Sequence, residues 1–308
     1  MTECLDRVLF DQLRAERGVT WGRPLRLFES TSSTNDRALE ALAEGMKTGG
    51  VFVAREQTQG RGRQGAAWQS EPGENLTFSV VLRLPAAQWA LPSYTLIVGL
   101  ALADALETRL PATLSWGIKW PNDIYVNGKK LAGILVEGRP KAGEFPLAIG
   151  IGLNVNTLDF GPESQRRTSL RLAIRESAGP ASPEPASTGP ASPGPASTRP
   201  EAKAHEATVP DEVDLRKEAL LVDTLQALEN RTRALVQGGF ERCLPDLLKH
   251  DLLHGALLRT GGGIAHGAGI APDGALLVKP LGSETLVRVQ SGSIEFPLDP
   301  QLAVHDSS

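Results

Sequence analysis

The sequence has few of the features that mark secreted, membrane or nucleic-acid-binding proteins. Only two of its 308 residues are cysteines, and Cys4 and Cys243 stand at opposite ends of the chain in no redox or metal-ligand spacing. The longest apolar stretch, residues 96–106, is too short to cross a bilayer and contains Asp104. Because the net charge is −4, no overall basic charge favours a nucleic-acid partner. Residues 1–18 have no continuous apolar core, so we expect a cytoplasmic protein that binds neither DNA nor a membrane.

Several catalytic signatures are also missing. No H-R-D string is present, which argues against protein-kinase chemistry, and no G-x-S-x-G string indicates a hydrolase nucleophile. His250 and His254 stand four residues apart, but no third ligand follows, so the sequence does not predict a zinc site. The chemistry that remains is the handling of anions without a protein nucleophile. Phosphoryl or nucleotidyl transfer fits this, because positioning and charge stabilisation do most of the catalysis there.

Residues 60–65, GRGRQG, match the glycine pattern of a dinucleotide-binding turn letter for letter. That pattern requires a helix to begin at its end, whereas residues 71–75, EPGEN, form a turn cluster instead. Two arginines, Arg61 and Arg63, lie inside the glycine run. We therefore predict a mobile loop that closes a guanidinium pair over an anion.

The order of periodic segments predicts a mixed sheet with helices packed against it, followed by a small β-barrel. Strands are expected at residues 25–28, 51–54, 77–84 and 147–155, helices at residues 4–17, 34–45 and 94–110, and a hairpin at 123–137 around Asn127-Gly128. Helical periodicity returns at residues 213–250, and five short strands follow residue 252. We expect an N-terminal helical segment at 1–24, a catalytic domain at 25–250 and a small domain at 251–308. Residues 177–212, with a proline every five residues, are expected to be a disordered insertion.

Four polar stretches carry candidate chemistry. Ser33-Thr34-Asn35 stands at a predicted helix start, and Gln57 precedes the glycine-rich loop. In residues 119–123, KWPND, the Asn122 amide and the neighbouring carboxylate are oxygen ligands suited to magnesium. Lys130 could place a point charge beside a carboxylate or phosphate. Alternative interpretations remain for three of these stretches. Residues 33–35 could be a plain helix cap, residues 119–123 an ordinary turn, and Lys129 and Lys130 a pair of exposed lysines.

Together these stretches resemble the biotin protein ligases, which attach biotin to carboxylase carrier domains. The family's motifs occur in order as STN (33–35), EQTQGRGRQGAAW (56–68), KWPNDIYV (119–126), KKLAGILVE (129–137) and GIGLNVN (150–156). The resemblance covers about residues 25–300. It implies an α+β fold, in which an SH2-like mixed-sheet catalytic domain, like those of class II aminoacyl-tRNA synthetases and biotin ligases, precedes an SH3-like β-barrel.

The resemblance also implies the site and its ligands, which are ATP, biotin and Mg²⁺. Lys130 and Arg63 would be catalytic, and Asn122 would lie at the metal. The biotin-binding residues would be Ser33, Thr34, Asn35, Gln57, Arg61, Gly62, Arg63 and Lys130. The residues that bind ATP or the adenylate would be Arg61, Arg63, Trp68, Asn122, Lys130 and Asn154.

The implied activity is the formation of biotinyl-5'-AMP and transfer of biotin to a lysine of a biotin carboxyl carrier protein. The segment before Leu25 is too short for the DNA-binding domain of the repressor members, so we expect no repressor activity. The sequence leaves open whether the protein forms a homodimer. Gln64 and Ala66 stand where the family loop often has further arginines, which predicts a weaker grip on the adenylate. A lipoate ligase and a non-catalytic biotin sensor remain the alternatives.

Overall fold

The computed structural model describes residues 4–85, 91–141, 143–178 and 213–296. Its helices are α1 (Arg7–Glu16), α2 (Thr34–Ala43), α3 (Leu91–Leu106), α4 (Leu170–Ser177), α5 (Lys217–Gly238) and α6 (Leu244–His250). The strands of the larger sheet are β1 (Leu25–Thr31), β2 (Val51–Gln57), β3 (Leu76–Pro85), β4 (Trp116–Lys119), β5 (Asp123–Val126), β6 (Lys129–Gly138) and β7 (Glu144–Leu153). The smaller sheet contains β8 (Leu257–Thr260), β9 (Gly263–Ile270), β10 (Leu276–Pro280) and β11 (Val287–Val289).

The larger sheet has the order β1-β2-β3-β7-β6-β5-β4. Strands β1 and β2 are parallel, and the other neighbours are antiparallel. The mixed α/β architecture predicted from the sequence is therefore confirmed. The expected hairpin joins β5 to β6, with Asn127 at φ 48° and Gly128 at φ 76°. Both residues occupy the left-handed region that a two-residue hairpin turn requires.

The two faces of the larger sheet bury different amounts of apolar surface. On one face, Phe78, Val80 and Leu82 of β3 join a large core with α3 and α5. On the other face, Val81 packs against Ala38 and the rest of α2 in a much smaller cluster. Because successive strand residues point to opposite faces, β3 contributes to both. Helix α2 covers only part of its face, and the candidate site lies on the remainder.

Several element boundaries differ from the sequence expectations. The helical stretch predicted at 213–250 is broken at Gly239, whose φ of 77° ends α5 before α6 begins. Helix α4 was not predicted, and it ends at Ser177, where the proline-rich stretch was expected to begin. The last predicted strand, residues 294–296, is reduced to one bridge between Arg259 and Glu295. Most of the expected insertion, residues 179–212, lies outside the described residues.

The smaller sheet is antiparallel, with the order β11-β10-β9-β8. It contacts the larger unit directly, since Trp120 Nε1 donates to the carbonyl of Gly274 at 2.9 Å and Ser93 Oγ donates to that of Asp273 at 2.7 Å. The expected small β domain is thus present as a four-stranded sheet. Within the described residues, no helix has the length and apolarity needed to span a membrane.

Candidate active site

A cavity of about 290 Å³ opens on the face of the larger sheet that α2 leaves uncovered. Its floor lacks side chains, because Gly133 on β6 pairs with Gly152 on β7, and Gly150 follows at the next position on the same face. A Cβ at Gly150 would lie 2.5 Å from Asn35 Oδ1, and one at Gly152 would overlap the Trp68 ring. Glycine at these positions therefore makes room for both the cavity and its walls.

One end of the cavity is a network of neutral amides and hydroxyls at the start of α2. Gln57 Oε1 accepts from the Thr34 amide at 2.7 Å and from Thr34 Oγ1 at 3.0 Å. Ser79 Oγ lies 2.8 Å from Thr34 Oγ1 and 2.6 Å from Asn35 Oδ1. Ser33 occupies the N-cap position, but its side chain makes no capping hydrogen bond. Gln57 caps the helix from the neighbouring strand instead.

The glycine-rich loop, residues 60–68, is a tight hairpin over the cavity. The Gly62 amide donates to Ala66 at 2.6 Å, and the Trp68 amide donates to Gly60 at 2.9 Å. At its tip, Gln64 has φ 54°, in the left-handed region. The Trp68 ring lies on the glycine floor, and its Nε1 is buried without a hydrogen-bond partner among the described residues.

Arg61 anchors this loop to two carboxylates. Its Nη1 and Nη2 donate to the two oxygens of Asp36 at 3.0 and 2.6 Å, and Nη2 also lies 3.4 Å from Glu137 Oε2. The hydrogen bonds to Asp36 raise the pKa of the Arg61 guanidinium and hold the pKa of the Asp36 carboxyl below its ordinary value. Both groups therefore stay charged at neutral pH.

The other end of the cavity carries an excess of positive charge. Lys130 Nζ lies 2.7 Å from Asp123 Oδ1, and Arg63 Nη1 donates to Asn122 Oδ1 at 3.4 Å. Lys119 also lines this end, and burial lowers its pKa, although the charge of Asp123 acts in the opposite direction. Three cations thus face one carboxylate among the residues that line this end, which suits a polyanionic group.

The structure brings together nearly every residue predicted for the site. The predicted residues that line the cavity are Ser33, Thr34, Asn35, Gln57, Arg61, Gly62, Arg63, Trp68, Asn122 and Lys130. Asn154 is fully buried and lies outside the lining, with its Nδ2 donating to the carbonyl of Thr168 at 2.9 Å.

Several residues at the site were not predicted. Asp36 and Glu137 hold Arg61, Ser79 joins the amide network, and residues 292–294 of the smaller unit line the cavity. The alternating glycines Gly150 and Gly152 were a usable signal, since glycine within a strand often marks the close approach of another group. No local pattern pointed to the other residues.

The described residues contain no group of three His, Cys, Asp or Glu side chains placed to hold a metal ion. Asn122 and Asp123 are adjacent, but Asn122 Oδ1 accepts the hydrogen bond from Arg63. Asp123 Oδ1 is ion-paired with Lys130 and accepts no other hydrogen bond from the described residues.

Comparison with known proteins shows which family the chain resembles. Residues 27–156 match the model of the biotin/lipoate A/B protein ligase family. A solved biotin protein ligase from Aquifex aeolicus, in complex with biotin and ATP, superposes with a TM-score of 0.63 at 26% identity, over 89% of this chain and 98% of that one. The chain is thus similar to biotin protein ligases in sequence and in fold.

Curated biotin ligases are also similar to part of this chain. The bifunctional ligase/repressor BirA of Bacillus subtilis is 37% identical over 161 residues, 51% of this chain and 48% of that protein. The biotin–acetyl-CoA-carboxylase ligase of Mycobacterium tuberculosis is 38% identical over 174 residues, 55% of this chain and 62% of its own length. In these alignments the chain spans about half the length of the curated relatives it matches.

Proposed function

We propose that this chain is an ATP-dependent biotin ligase, which activates biotin as biotinyl-5'-AMP and transfers it to a lysine of a biotin carboxyl carrier domain. The observation that carries this proposal is the division of one cavity into a neutral hydrogen-bonding end and a cationic end. Such a cavity can hold a neutral polar ring system and the triphosphate of a nucleotide side by side. The match of residues 27–156 to the family model and the similarity to the Aquifex complex with biotin and ATP support the same proposal.

In this proposal the polar ring of biotin binds at the start of α2. Ser33, Thr34, Asn35 and Gln57 offer the donors and acceptors for that ring. Arg61, Gly62 and Arg63 belong to the loop that covers the adenylate, with Trp68 beside it. A lipoyl group has no comparable polar ring, so the amide network favours biotin over lipoate.

The cationic end would promote attack of the biotin carboxylate on the α-phosphorus of ATP. As the new oxygen–phosphorus bond forms and the bond to pyrophosphate breaks, Lys130 and Arg63 stabilise the negative charge on the phosphoryl oxygens. A lysine amine of the carrier then attacks the acyl carbon, the bond to AMP breaks, and the amine loses a proton. The cavity supplies orientation and charge, and no protein nucleophile is needed.

The donor set suits a magnesium ion held mainly by phosphate oxygens, because Asp123 offers a buried carboxylate oxygen and Asn122 an adjacent amide. When bound, the ion would supply positive charge that offsets the charge of the leaving pyrophosphate. The assignment of Asn154 to the adenylate rests on the family resemblance alone.

We also propose the finer assignments that the resemblance implies. These are closure of the smaller sheet into an SH3-like barrel and domain limits at 1–24, 25–250 and 251–308. Composition and charge add the proposal of a cytoplasmic protein without DNA binding, and a homodimer stays an open alternative.

Biotin-dependent release of pyrophosphate from ATP tests the proposal. We expect release with biotin and little with lipoate, and we expect Lys130→Ala to lower kcat about 100-fold or more because a cation facing developing charge acts mainly in the transition state. Lys129→Ala is the matched control, since Lys129 pairs with Glu176 and lies outside the cavity lining. Urea unfolding checks that both variants are folded. Biotin binding without pyrophosphate release would instead indicate a sensor, and a preference for lipoate would indicate a lipoate ligase.

A further inference from the structure

We propose that Asp36 and Glu137 are positioning residues that hold the glycine-rich loop closed through Arg61, which leaves Arg63 as the guanidinium that meets the anionic ligand. This inference rests on the proposed function for the identity of the ligand. The contact between the loop and the two carboxylates can be tested without it.

The Arg61 side chain holds the glycine-rich loop against α2 and β6 through hydrogen bonds to two carboxylates. Two nearly parallel hydrogen bonds to Asp36 form a fork, which fixes the guanidinium plane as well as its position. Glu137 adds a second carboxylate at 3.4 Å. Two negative charges around one positive charge leave this cluster with a net charge of −1, so it does not attract a phosphate.

Both carboxylates are themselves held in place by rigid elements. Glu137 Oε2, on β6, accepts from Asn35 Nδ2 at 2.7 Å, and that same nitrogen donates to the carbonyl of Leu135 at 3.2 Å. Asp36 lies in the first turn of α2, where the helix dipole favours a negative charge. The contacts therefore run from the loop through Arg61 to α2, β6 and the polar end of the cavity.

Arg63 is in the opposite situation. The one hydrogen bond that the described residues offer its side chain is the long contact of 3.4 Å to Asn122 Oδ1. Burial lowers the pKa of its guanidinium, although the charge of Asp123 acts against this. An anionic ligand would supply the partner that Arg63 lacks, whereas Arg61 already has its partners.

Side-chain exposure sets the size of the expected effect. The side chains of Arg61, Asp36 and Glu137 are 38%, 30% and 31% exposed, so solvent screens their attraction. A loop containing three glycines loses much backbone freedom on closing, so its closed state is only weakly favoured. The loss of even a modest attraction therefore shifts its opening equilibrium. We expect removal of the Asp36 charge to increase loop opening about five- to tenfold.

Amide hydrogen exchange in the ligand-free protein tests the contact. Asp36→Asn should accelerate exchange across residues 58–68 about five- to tenfold, and Glu137→Gln should do so less, because its contact with Arg61 is longer. The matched control is Glu40→Gln, on the same helix, since Glu40 pairs with Arg37 at the surface and does not contact the loop. Exchange in β3 should stay unchanged in all three variants, which separates loop opening from general unfolding.

The division of roles between the two arginines is tested by matched substitutions. Arg61→Lys keeps the charge but loses the fork, so it should accelerate loop exchange in the empty protein. Arg63→Lys should leave that exchange unchanged and instead raise the Kd for biotinyl-5'-AMP about tenfold. Equal exchange in wild type and Asp36→Asn, or faster exchange in Arg63→Lys than in Arg61→Lys, would overturn the inference. Failure to form or bind the adenylate, with the exchange pattern intact, would refute the proposed function and leave the loop contact standing.

Discussion

At the scale of single residues, absent side chains shape this site as much as present ones. Gly133 and Gly152 are opposite each other on adjacent strands, and the Trp68 ring occupies the space above them. Any larger residue at either position would compete with that ring. The site therefore depends on glycines in strand interiors, where they usually weaken a sheet.

We predict that Gly152→Ala will displace the Trp68 ring and weaken biotin binding about tenfold. The new Cβ would overlap atoms of the indole, so the ring must leave its position on the glycine floor. Calorimetric titration with biotin measures the effect, and urea unfolding should show a much smaller change. The control is Gly261→Ala, because nothing lies within 4 Å of its added Cβ and its φ is not positive. Unchanged biotin affinity in Gly152→Ala would contradict this account.

At the scale of secondary-structure elements, α2 depends on a neighbouring strand for its N-terminal cap. The first amide of α2 donates to Gln57 Oε1, at the end of β2, while the Ser33 side chain makes no capping bond. Sequence-based capping rules consider only nearby residues, so they place a plain helix cap within residues 33–35. The cap couples the helix to the strand that leads into the glycine-rich loop.

We predict that Gln57→Ala will lower the free energy of unfolding by about 1 kcal/mol, the usual cost of losing an N-cap. Gln57→Glu keeps an acceptor for both Thr34 groups, so it should lie closer to wild type in stability. Urea denaturation of the two variants, with Gln59→Ala as an exposed control on the same segment, measures the difference. A loss of stability in Gln57→Glu as large as that in Gln57→Ala would show that the cap is not the cause.

At the scale of the whole molecule, the two sheets complete the cavity together. Trp120 is only 2% exposed and donates its indole hydrogen to Gly274 of the smaller unit. Residues 292–294 of that unit line the cavity, and the backbone bonds between Arg259 and Glu295 hold the adjoining segment. The smaller unit therefore contributes to the site as well as to the fold.

We predict that Trp120→Phe will destabilise the protein by about 1–3 kcal/mol, because it leaves the Gly274 carbonyl without its buried donor. Amide exchange in residues 270–296 should accelerate more than exchange in β3. The comparison variant is Trp116→Phe, since that half-buried ring packs on His250 and makes no such hydrogen bond between the two units. If the two variants exchange alike in residues 270–296, the hydrogen bond does not couple the units.

Features that depend on a few neighbouring residues could be predicted from the sequence alone. The hairpin between β5 and β6 follows from Asn127-Gly128, because those two residues adopt the required positive φ cheaply. Most strands and helices follow from their periodicity, and the resemblance to biotin protein ligases follows from motifs that are contiguous in the chain. Ten predicted site residues line the cavity because each lies in such a motif.

Features that depend on distant contacts needed the folded chain. Arg61 meets Asp36, 25 positions away, and Glu137, 76 positions away, and no local pattern encodes that pairing. Asn154 follows Gly150 and Gly152 in the alternation of β7, which would place it in the cavity. Instead, residues 166–168 pair with the backbone of Lys130, and Asn154 is buried beside them, outside the cavity. The physical reason is the same in both cases: backbone conformation responds to neighbouring residues, whereas charge pairing and burial depend on which strands and segments the fold places side by side.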